Sequence, residues 1–290
     1  MMAAVSLDLD LPRRIAYQGE PGANSHIACA DAYPEWEPMA CASFEDAFTA
    51  VTDGTAGLAM IPIDNTLAGR VADIHHFLPH SGLHIVGEYF LPIHFDLLAV
   101  PGATLETITE VHSHVHALGQ CRRIIRDLKL SQVIAGDTAG AAREVAEWGD
   151  PTKAALAPPL AAQTYGLDTL ATTVEDEDHN TTRFVVLSRH PEVPEQGDWP
   201  TVTTFVFNVR NIPAALYKAL GGFATNGINM TKLESYMVGG TFTATMFLAE
   251  VDGHPEDPPL ARALEELAFF STEVQVMGVY PAHPHRFADA

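Results

Sequence analysis

Residues 175 to 184 read EDEDHNTTRF, immediately ahead of the apolar run FVVLS. Four acids give way to His179, Asn180, Thr181, Thr182 and Arg183, so five hydrogen-bonding side chains gather where a strand begins. An arginine carries a planar fork that grips a carboxylate through two parallel hydrogen bonds. The threonine beside it offers a neutral hydroxyl. The plainer account is a solvated acidic loop in which Arg183 pairs with Glu175, Asp176, Glu177 or Asp178, an exposed pairing worth little. The acids fit that account well, and the residues after them fit it less well.

Three other stretches place polar groups at strand ends. In GEPGANSH (19–26), Gly19 and Gly22 permit a tight turn, and Ser25 puts a hydroxyl at a helix start whose free amides favour an anion. The stretch lacks the third glycine of a dinucleotide fingerprint and the lysine of a phosphate loop. Taken alone, it favours a plain glycine turn with a capping serine. IPIDNTLAG (61–69) leads from a strand through Asp64, Asn65 and Thr66, which serve as helix caps or face a cleft beyond the carboxyl ends of strands. In VHSHVHALGQC (111–121), His112, His114 and His116 alternate, and a continuous strand would line them up for a metal. The strand is expected to end near Ser113, and no cysteine or carboxylate stands at ligand spacing. Ser113, His114 and Gln120 are therefore read as polar donors at a strand-to-helix turn, and no metal is expected. Cys121 opens an amphipathic helix and reads as a packed thiol rather than a nucleophile. His75 and His76 read as ordinary surface or helix residues.

Such groups need a scaffold, and the 290 residues, 47% of them hydrophobic, are ample for a sizeable core and about two domains. The formal net charge of -21 repels phosphate backbones and excludes nucleic acid as a partner. It repels small anions too, so any anion site must be a local concentration of donors. Cys29, Cys41 and Cys121 are scattered and odd in number, which fits a reduced interior. The first twelve residues lack a basic and apolar leader pattern, and no apolar run approaches a membrane span. These features predict a soluble cytoplasmic protein with no membrane partner.

Short apolar runs alternate with helical patterns up to Arg189, which argues for α/β layers and largely parallel sheet. Strands are predicted at RIAY, GLAMIPI, LHIVGEYFLPIHFDLLAV, EVHSH, SQVIAG, KAALA and TRFVVLS. Helices are predicted at NSHIACADAY, SFEDAFTAVTDG (Ser43 as N-cap, Gly54 at C′), DNTLAGRVADIHHFLP, HALGQCRRIIRDL and TAGAAREVAEWG. HPEVPEQGDWP (190–200), with three prolines, reads as a linker. Beyond it the order is β-α-β-β-α-β, with Gly239-Gly240 turning the central hairpin.

The succession GEPGANSH, IPIDNTLAG, HSHVHALGQC and HNTTRFVVL, followed by a βαββαβ tail containing NGINMTKLES, resembles the prephenate dehydratase family with its C-terminal ACT domain. The likeness runs from about Arg14 to Tyr280, and its most specific elements are N-x-T-R-F (Asn180 to Phe184) and the tail. It implies a two-lobed, periplasmic-binding-protein-like catalytic domain over 13–189, a linker at 190–200 and a ferredoxin-like ACT domain over 201–282. It also implies a hydro-lyase that converts prephenate to phenylpyruvate, on the route to phenylalanine, with no cofactor. The family's catalytic threonine falls on Thr182, and its polar partners on Asn65, Ser113 and Gln120. Arg183 falls where a substrate carboxylate is held, with Gly22, Ser25, Thr66, His114, Thr138, Asn180 and Phe184 as further substrate-binding positions. Phenylalanine feedback maps to Ala214, Ala215, Leu216, Asn229, Glu234 and Ser235.

The chain departs from the family pattern at several points. Asp64 stands for the usual glutamate, Val115-His116 for Pro-Gln, and Pro158-Pro159 for Ser-Glu. In the tail, Ala214-Ala215-Leu216 stands for G-A-L, and Glu234-Ser235-Tyr236-Met237 for E-S-R-P. The tail is either a weakened or retuned phenylalanine sensor or a purely structural dimerisation module. The segment before the first strand leaves no room for a fused chorismate mutase, so a monofunctional homodimer or homotetramer is expected. The rival functions are arogenate dehydratase, with the same chemistry on an aminated side chain, and a two-lobed ligand-binding sensor without turnover.

Overall fold

A computed structural model describes residues 12–71, 77–197, 199–237 and 244–288 of the chain. Two compact units emerge, one of residues 11–75 with 89–184 and one of residues 76–88 with 185–290. The chain passes from one to the other inside two strands, between Glu88 and Tyr89 and between Phe184 and Val185.

The first unit holds two sheets. In one, β1 (Arg14–Gln18) lies between β2 (Glu37–Cys41) and β3 (Leu58–Asn65), parallel to both, and β11 (Thr181–Ser188) follows β3. Ile15, Tyr17, Leu58, Met60, Ile61 and Ile63 are fully buried, as expected of strands covered on both faces. Helices α1 (Asn24–Ala32) and α2 (Phe44–Thr52) belong to this lobe. Ser43 caps α2 in a reciprocal box with Asp46, and Gly54 adopts φ +84°, both as predicted. Such a cap contributes ~1 kcal/mol.

The other sheet runs β10-β6-β9-β7-β8, with β6 (Asp96–Ala99), β7 (Glu110–Ser113), β8 (Ser131–Ile134), β9 (Lys153–Ala157) and β10 (Asp168–Ala171). It is mixed, not largely parallel: β7 is parallel to β8 and β9, while β6 is antiparallel to β9 and β10. Helices α3 (Val115–Gln120), α4 (Arg122–Asp127), α5 (Thr138–Trp148) and α6 (Pro159–Tyr165) accompany it.

The second unit contains the order read from the sequence: β12 (Thr201–Val209), α7 (Ala215–Thr225), β13 (Met230–Met237), β14 (Ala244–Asp252), α8 (Pro258–Phe270) and β15 (Ser271–Pro281). Its sheet runs β13-β14-β12-β15 and continues to β5 (His84–Pro92). Phe205, Phe207, Phe223, Phe247, Leu260 and Leu267 form its core. Gly278 pairs with Ile85, where a side chain would overlap the Ile85 carbonyl. Residues 190–197 contain no helix or strand.

Two local expectations change, and two strands were not anticipated. The helix predicted after Asn65 is replaced at its start by a hairpin, since β4 (Gly69–Arg70) turns back antiparallel on Asp64 and Asn65. The single helix predicted through 116–128 is broken at Cys121, whose φ of -120° and ψ of 35° are not helical. β2 and β10 carry no strand signal that the sequence reading detected. The Gly239-Gly240 turn, His75 and His76 lie outside the described residues.

Candidate active site

The end of β3 and the start of β11 meet through side chains. Asn65 Oδ1 accepts from the backbone amides of Leu67 (3.0 Å) and Ala68 (2.8 Å), the Asx turn that launches the hairpin. Its Nδ2 donates to Asn180 Oδ1 (2.7 Å), Thr182 Oγ1 (2.9 Å) and the Thr181 carbonyl (3.3 Å). Thr66 Oγ1 donates to the His179 carbonyl (2.8 Å) and accepts from the Thr181 amide (2.9 Å), so its hydroxyl is used in holding the two segments together. Asn180, 4% exposed, donates through Nδ2 to Gln120 Oε1 (2.9 Å) at the end of α3. Four of the residues singled out in the sequence, Asn65, Gln120, Asn180 and Thr182, therefore form one continuous network drawn from both sheets' lobes.

The acidic loop positions this network and leaves Arg183 to another partner. Asp176 accepts from the amides of Arg122 (2.9 Å) and Arg123 (3.1 Å), capping α4, and its own amide donates to the Gln120 carbonyl (2.7 Å). That cap is the reason the predicted single helix divides at Cys121: the two amides turn to Asp176 rather than to carbonyls of the preceding turn. Glu175 is buried against His94 Nδ1 (2.7 Å) and the Phe95 amide (3.0 Å). Arg183 is 8% exposed, with Nη1 3.5 Å from Asp64 Oδ2 and its guanidinium 5.9 Å from the Phe90 ring centre. The surface pairing with residues 175–178 is thus replaced by a half-buried pair with Asp64. Successive strand residues point to opposite faces, so Thr182 and Arg183 diverge: Thr182 joins Asn65, and Arg183 joins Asp64.

The other expected residues are not hydrogen-bonded to this network. Ser113 is fully buried and its Oγ donates to the Leu156 carbonyl (2.6 Å), tying β7 to β9. His114 caps α3, accepting weakly from the His116 amide (3.4 Å). Burial and the neighbouring His116 lower its proton affinity, with Asp137 opposing. Thr138 opens α5 behind Asp137, whose Oδ1 takes the Gly140 amide (2.7 Å). Ser25 does not cap α1: the N-cap is Ala23, and Ser25 stands in the first turn at 8% exposure. The Gly22 amide is not open to an anion, because it donates to His26 Nδ1 (3.0 Å), whose ring stacks on Tyr17. Gly22 has φ +88°, and any Cβ there would press on the Ala161 backbone of α6. Phe184 is a core side chain. Cys121 is a buried free thiol pushed up by burial, then by Glu175 and Asp176, as a packed cysteine should be.

In the second unit, Ala214 sits in the left-handed region (φ 62°) ahead of α7, and Ala215 and Leu216 pack on the core. Asn229 Nδ2 donates to Asp252 Oδ2 (2.7 Å), Glu234 holds Lys232 Nζ (2.8 Å), and Ser235 is exposed. Among the described residues, no group of three or more His, Cys, Asp or Glu is arranged to hold a metal, and no helix is long and apolar enough to cross a membrane. The sequence reading missed the Asp64–Arg183 pair, the Asp176 cap and the His26 acceptor. No local pattern signals any of them, since each depends on which groups folding brings together.

A family model described as prephenate dehydratase matches residues 15–192. The chain is 52% identical over 274 residues to a bifunctional N-acyl-homoserine lactone acylase/prephenate dehydratase of Komagataeibacter europaeus, covering 94% of this chain and 98% of that protein. It is 36% identical to arogenate dehydratase/prephenate dehydratase 1, chloroplastic, of Arabidopsis thaliana, covering 92% of this chain and 72% of that one. A crystal structure of prephenate dehydratase in complex with L-Phe from Arthrobacter aurescens superposes with a TM-score of 0.85 at 30% identity, covering 93% of this chain and 90% of that one. The matched segment contains the whole Asn65–Asn180–Thr182–Gln120 network, and the chain belongs to the prephenate dehydratase family of hydro-lyases.

Proposed function

We propose that the chain converts prephenate to phenylpyruvate, with Thr182 acting on the leaving hydroxyl and Asn65 and Gln120 beside it. The observation that carries this is the bond from Asn65 Nδ2 to Thr182 Oγ1. A hydroxyl that accepts from an amide keeps its own hydrogen to donate. In the reaction the bond from the ring to one carboxylate breaks and carbon dioxide leaves. The electron pair moves through the ring, the opposite C–O bond breaks, and hydroxide departs to become water. Aromatisation drives the step, so the site needs orientation and help for the leaving oxygen more than a strong base. Arg183, with Gly22, Ser25, Thr66, His114, Thr138 and Phe184, completes the proposed substrate-binding set, and Ser113 the catalytic one, while Asn180 supports the set through Asn65 and Gln120. Within that set the Arg183 guanidinium offsets the dianion's charge in a strongly acidic protein.

The same proposal divides the chain into a catalytic domain at 13–189, a linker at 190–200 and an ACT domain at 201–282. It places phenylalanine at Ala214, Ala215, Leu216, Asn229, Glu234 and Ser235. The βαββαβ order of the tail and the likeness to a structure solved with L-Phe support it. A cytoplasmic homodimer or homotetramer is part of the proposal, and light scattering of the purified protein tests the assembly.

Two observations favour specific alternatives. Identity of 36% to a plant arogenate/prephenate dehydratase keeps arogenate as a substrate. Identity of 52% across nearly all of a bifunctional acylase/dehydratase favours N-acyl-homoserine lactone cleavage as a second activity. Purified protein mixed in turn with prephenate, arogenate and an N-acyl-homoserine lactone decides among them. Phenylpyruvate absorbance in alkali supports the main reading, phenylalanine from arogenate alone selects the aminated substrate, and released homoserine lactone adds the acylase. Turnover of none identifies a binding protein.

A further inference from the structure

We infer that Asn180 is a positioning residue that never touches substrate, and that its bonds set the direction of an amide chain delivering two free donors to the reacting centre. This rests on the dehydratase reading and deepens it. A backbone N–H can only donate, so the atom of Asn65 that takes the amides of Leu67 and Ala68 must be Oδ1. Asn65 therefore turns Nδ2 towards Asn180 and Thr182. The Asn180 atom facing it must be an acceptor, Oδ1, which turns Asn180 Nδ2 towards Gln120. The Gln120 atom facing that amide must in turn be Oε1. Each amide fixes the next, and the sense of the whole chain follows from two main-chain groups in the turn after β3. No other assignment of the side-chain amides satisfies every contact.

The two ends of the chain are donors. Thr182 Oγ1 accepts from Asn65 and keeps its hydrogen, and Gln120, with Oε1 occupied, keeps both hydrogens of Nε2. Among the described residues neither donor has a protein partner. A departing hydroxide is an oxygen on which negative charge grows, and fixed donors aimed at growing charge are the most effective device a site can hold. Asn180 is buried at 4% exposure and spends both halves of its amide inside the chain, so it acts through Asn65 and Gln120.

Two isosteric changes test this in the full-length protein. Gln120→Glu keeps the acceptor that Asn180 needs and removes the outward N–H. Asn180→Asp keeps the acceptor that Asn65 needs but cannot donate to Gln120, whose amide must rotate and turn Nε2 inward. Each variant is expected to lose kcat on prephenate on the order of 10²-fold, with little change in KM; Gln120→Glu leaves the thermal midpoint close to wild type, and Asn180→Asp, which buries a carboxylate, lowers it. Each is also expected to regain kcat relative to wild type as pH falls towards the carboxyl range of about 4, once uncatalysed aromatisation is subtracted. A protonated carboxyl restores the missing donor, whereas a network that only ties loops together gives no such recovery. Wild-type kcat in Asn180→Asp, or a loss without acid recovery, overturns the inference while leaving the dehydratase reading intact. Absence of wild-type turnover overturns the dehydratase reading instead. The chain direction is then read from side-chain amide proton exchange by NMR: slow exchange at Asn65 and Asn180 with fast exchange at Gln120 supports it, and the reverse order sinks it.

Discussion

Two polar clusters, one in each compact unit, use opposite chemistry. In the first unit, Asn65, Asn180, Gln120 and Thr182 are joined without a formal charge. In the second, Arg286 donates through Nε to Glu88 Oε1 (2.6 Å) and through Nη2 to Glu88 Oε2 (2.8 Å) and Glu250 Oε2 (3.1 Å). The His283 amide adds a fourth bond, to Glu88 Oε1. The charged cluster spends its donors on its own carboxylates and thereby pins the short turn Pro284–Phe287 to β5 and β14. The neutral cluster has direction: each amide passes a donor along and the last ones end unspent. Strong internal pairing makes a clamp, and weak directional pairing makes a site.

The largest test of that contrast is Arg286→Ala. Two carboxylates would remain buried without their cation, and removing one partner of such a group costs about 3–5 kcal/mol. A denaturant midpoint lowered accordingly marks the cluster as structural, and an unchanged midpoint would erase the contrast. Thr182→Ala is next: kcat is expected to fall on the order of 10²-fold, far more than KM rises, with stability close to wild type. Steady-state kinetics beside a melting curve separates the two. Arg183→Ala sharpens the comparison, since Arg183 shares features of both clusters through its Asp64 contact. As a substrate ligand it is expected to raise KM roughly tenfold, the worth of about 1.4 kcal/mol. A lower midpoint with KM unchanged would move it to the structural side.

The smallest expected effect is pH dependence. Burial lowers the proton affinity of His26, His84, His114 and His283 below the ordinary value of 6.5. The unfolded chain then binds protons that the folded one does not, so stability rises with pH across this window and is lost as pH falls below 6.5. For His26, protonation also removes the acceptor of the Gly22 amide. Denaturant midpoints measured from pH 7 down to 5 should decline. A flat profile for a His26→Gln variant would assign the larger part of the decline to that histidine.

Much of this was legible in the chain itself, for physical reasons that are local. Alternation and turn residues placed β1, β3, β7, β9 and β11, and the end of β7 at Ser113 followed from where its strand pattern stops. The Ser43 box, the left-handed Gly54 and the packed Cys121 are likewise matters of a few neighbouring residues. Motif order pointed to the family. The strands β2 and β10 were not legible, because EPMAC and DTLA gain strand structure only from the neighbours they pair with.

The site divides the same way. Residue types and spacing picked out Asn65, Thr182, Arg183 and Gln120, since each stands at a strand or helix end rich in donors. Only the tertiary structure decided that Thr182 and Arg183 point apart, that Asp176 caps a helix more than 50 residues upstream, and that Ser113 is spent on Leu156. Local propensity acts over a few residues, whereas a hydrogen bond is chosen by whichever partner the fold brings within 3 Å. The bond between Asn65 and Asn180, 115 positions apart, and the amide sense that runs through it, exist only once both lobes are built.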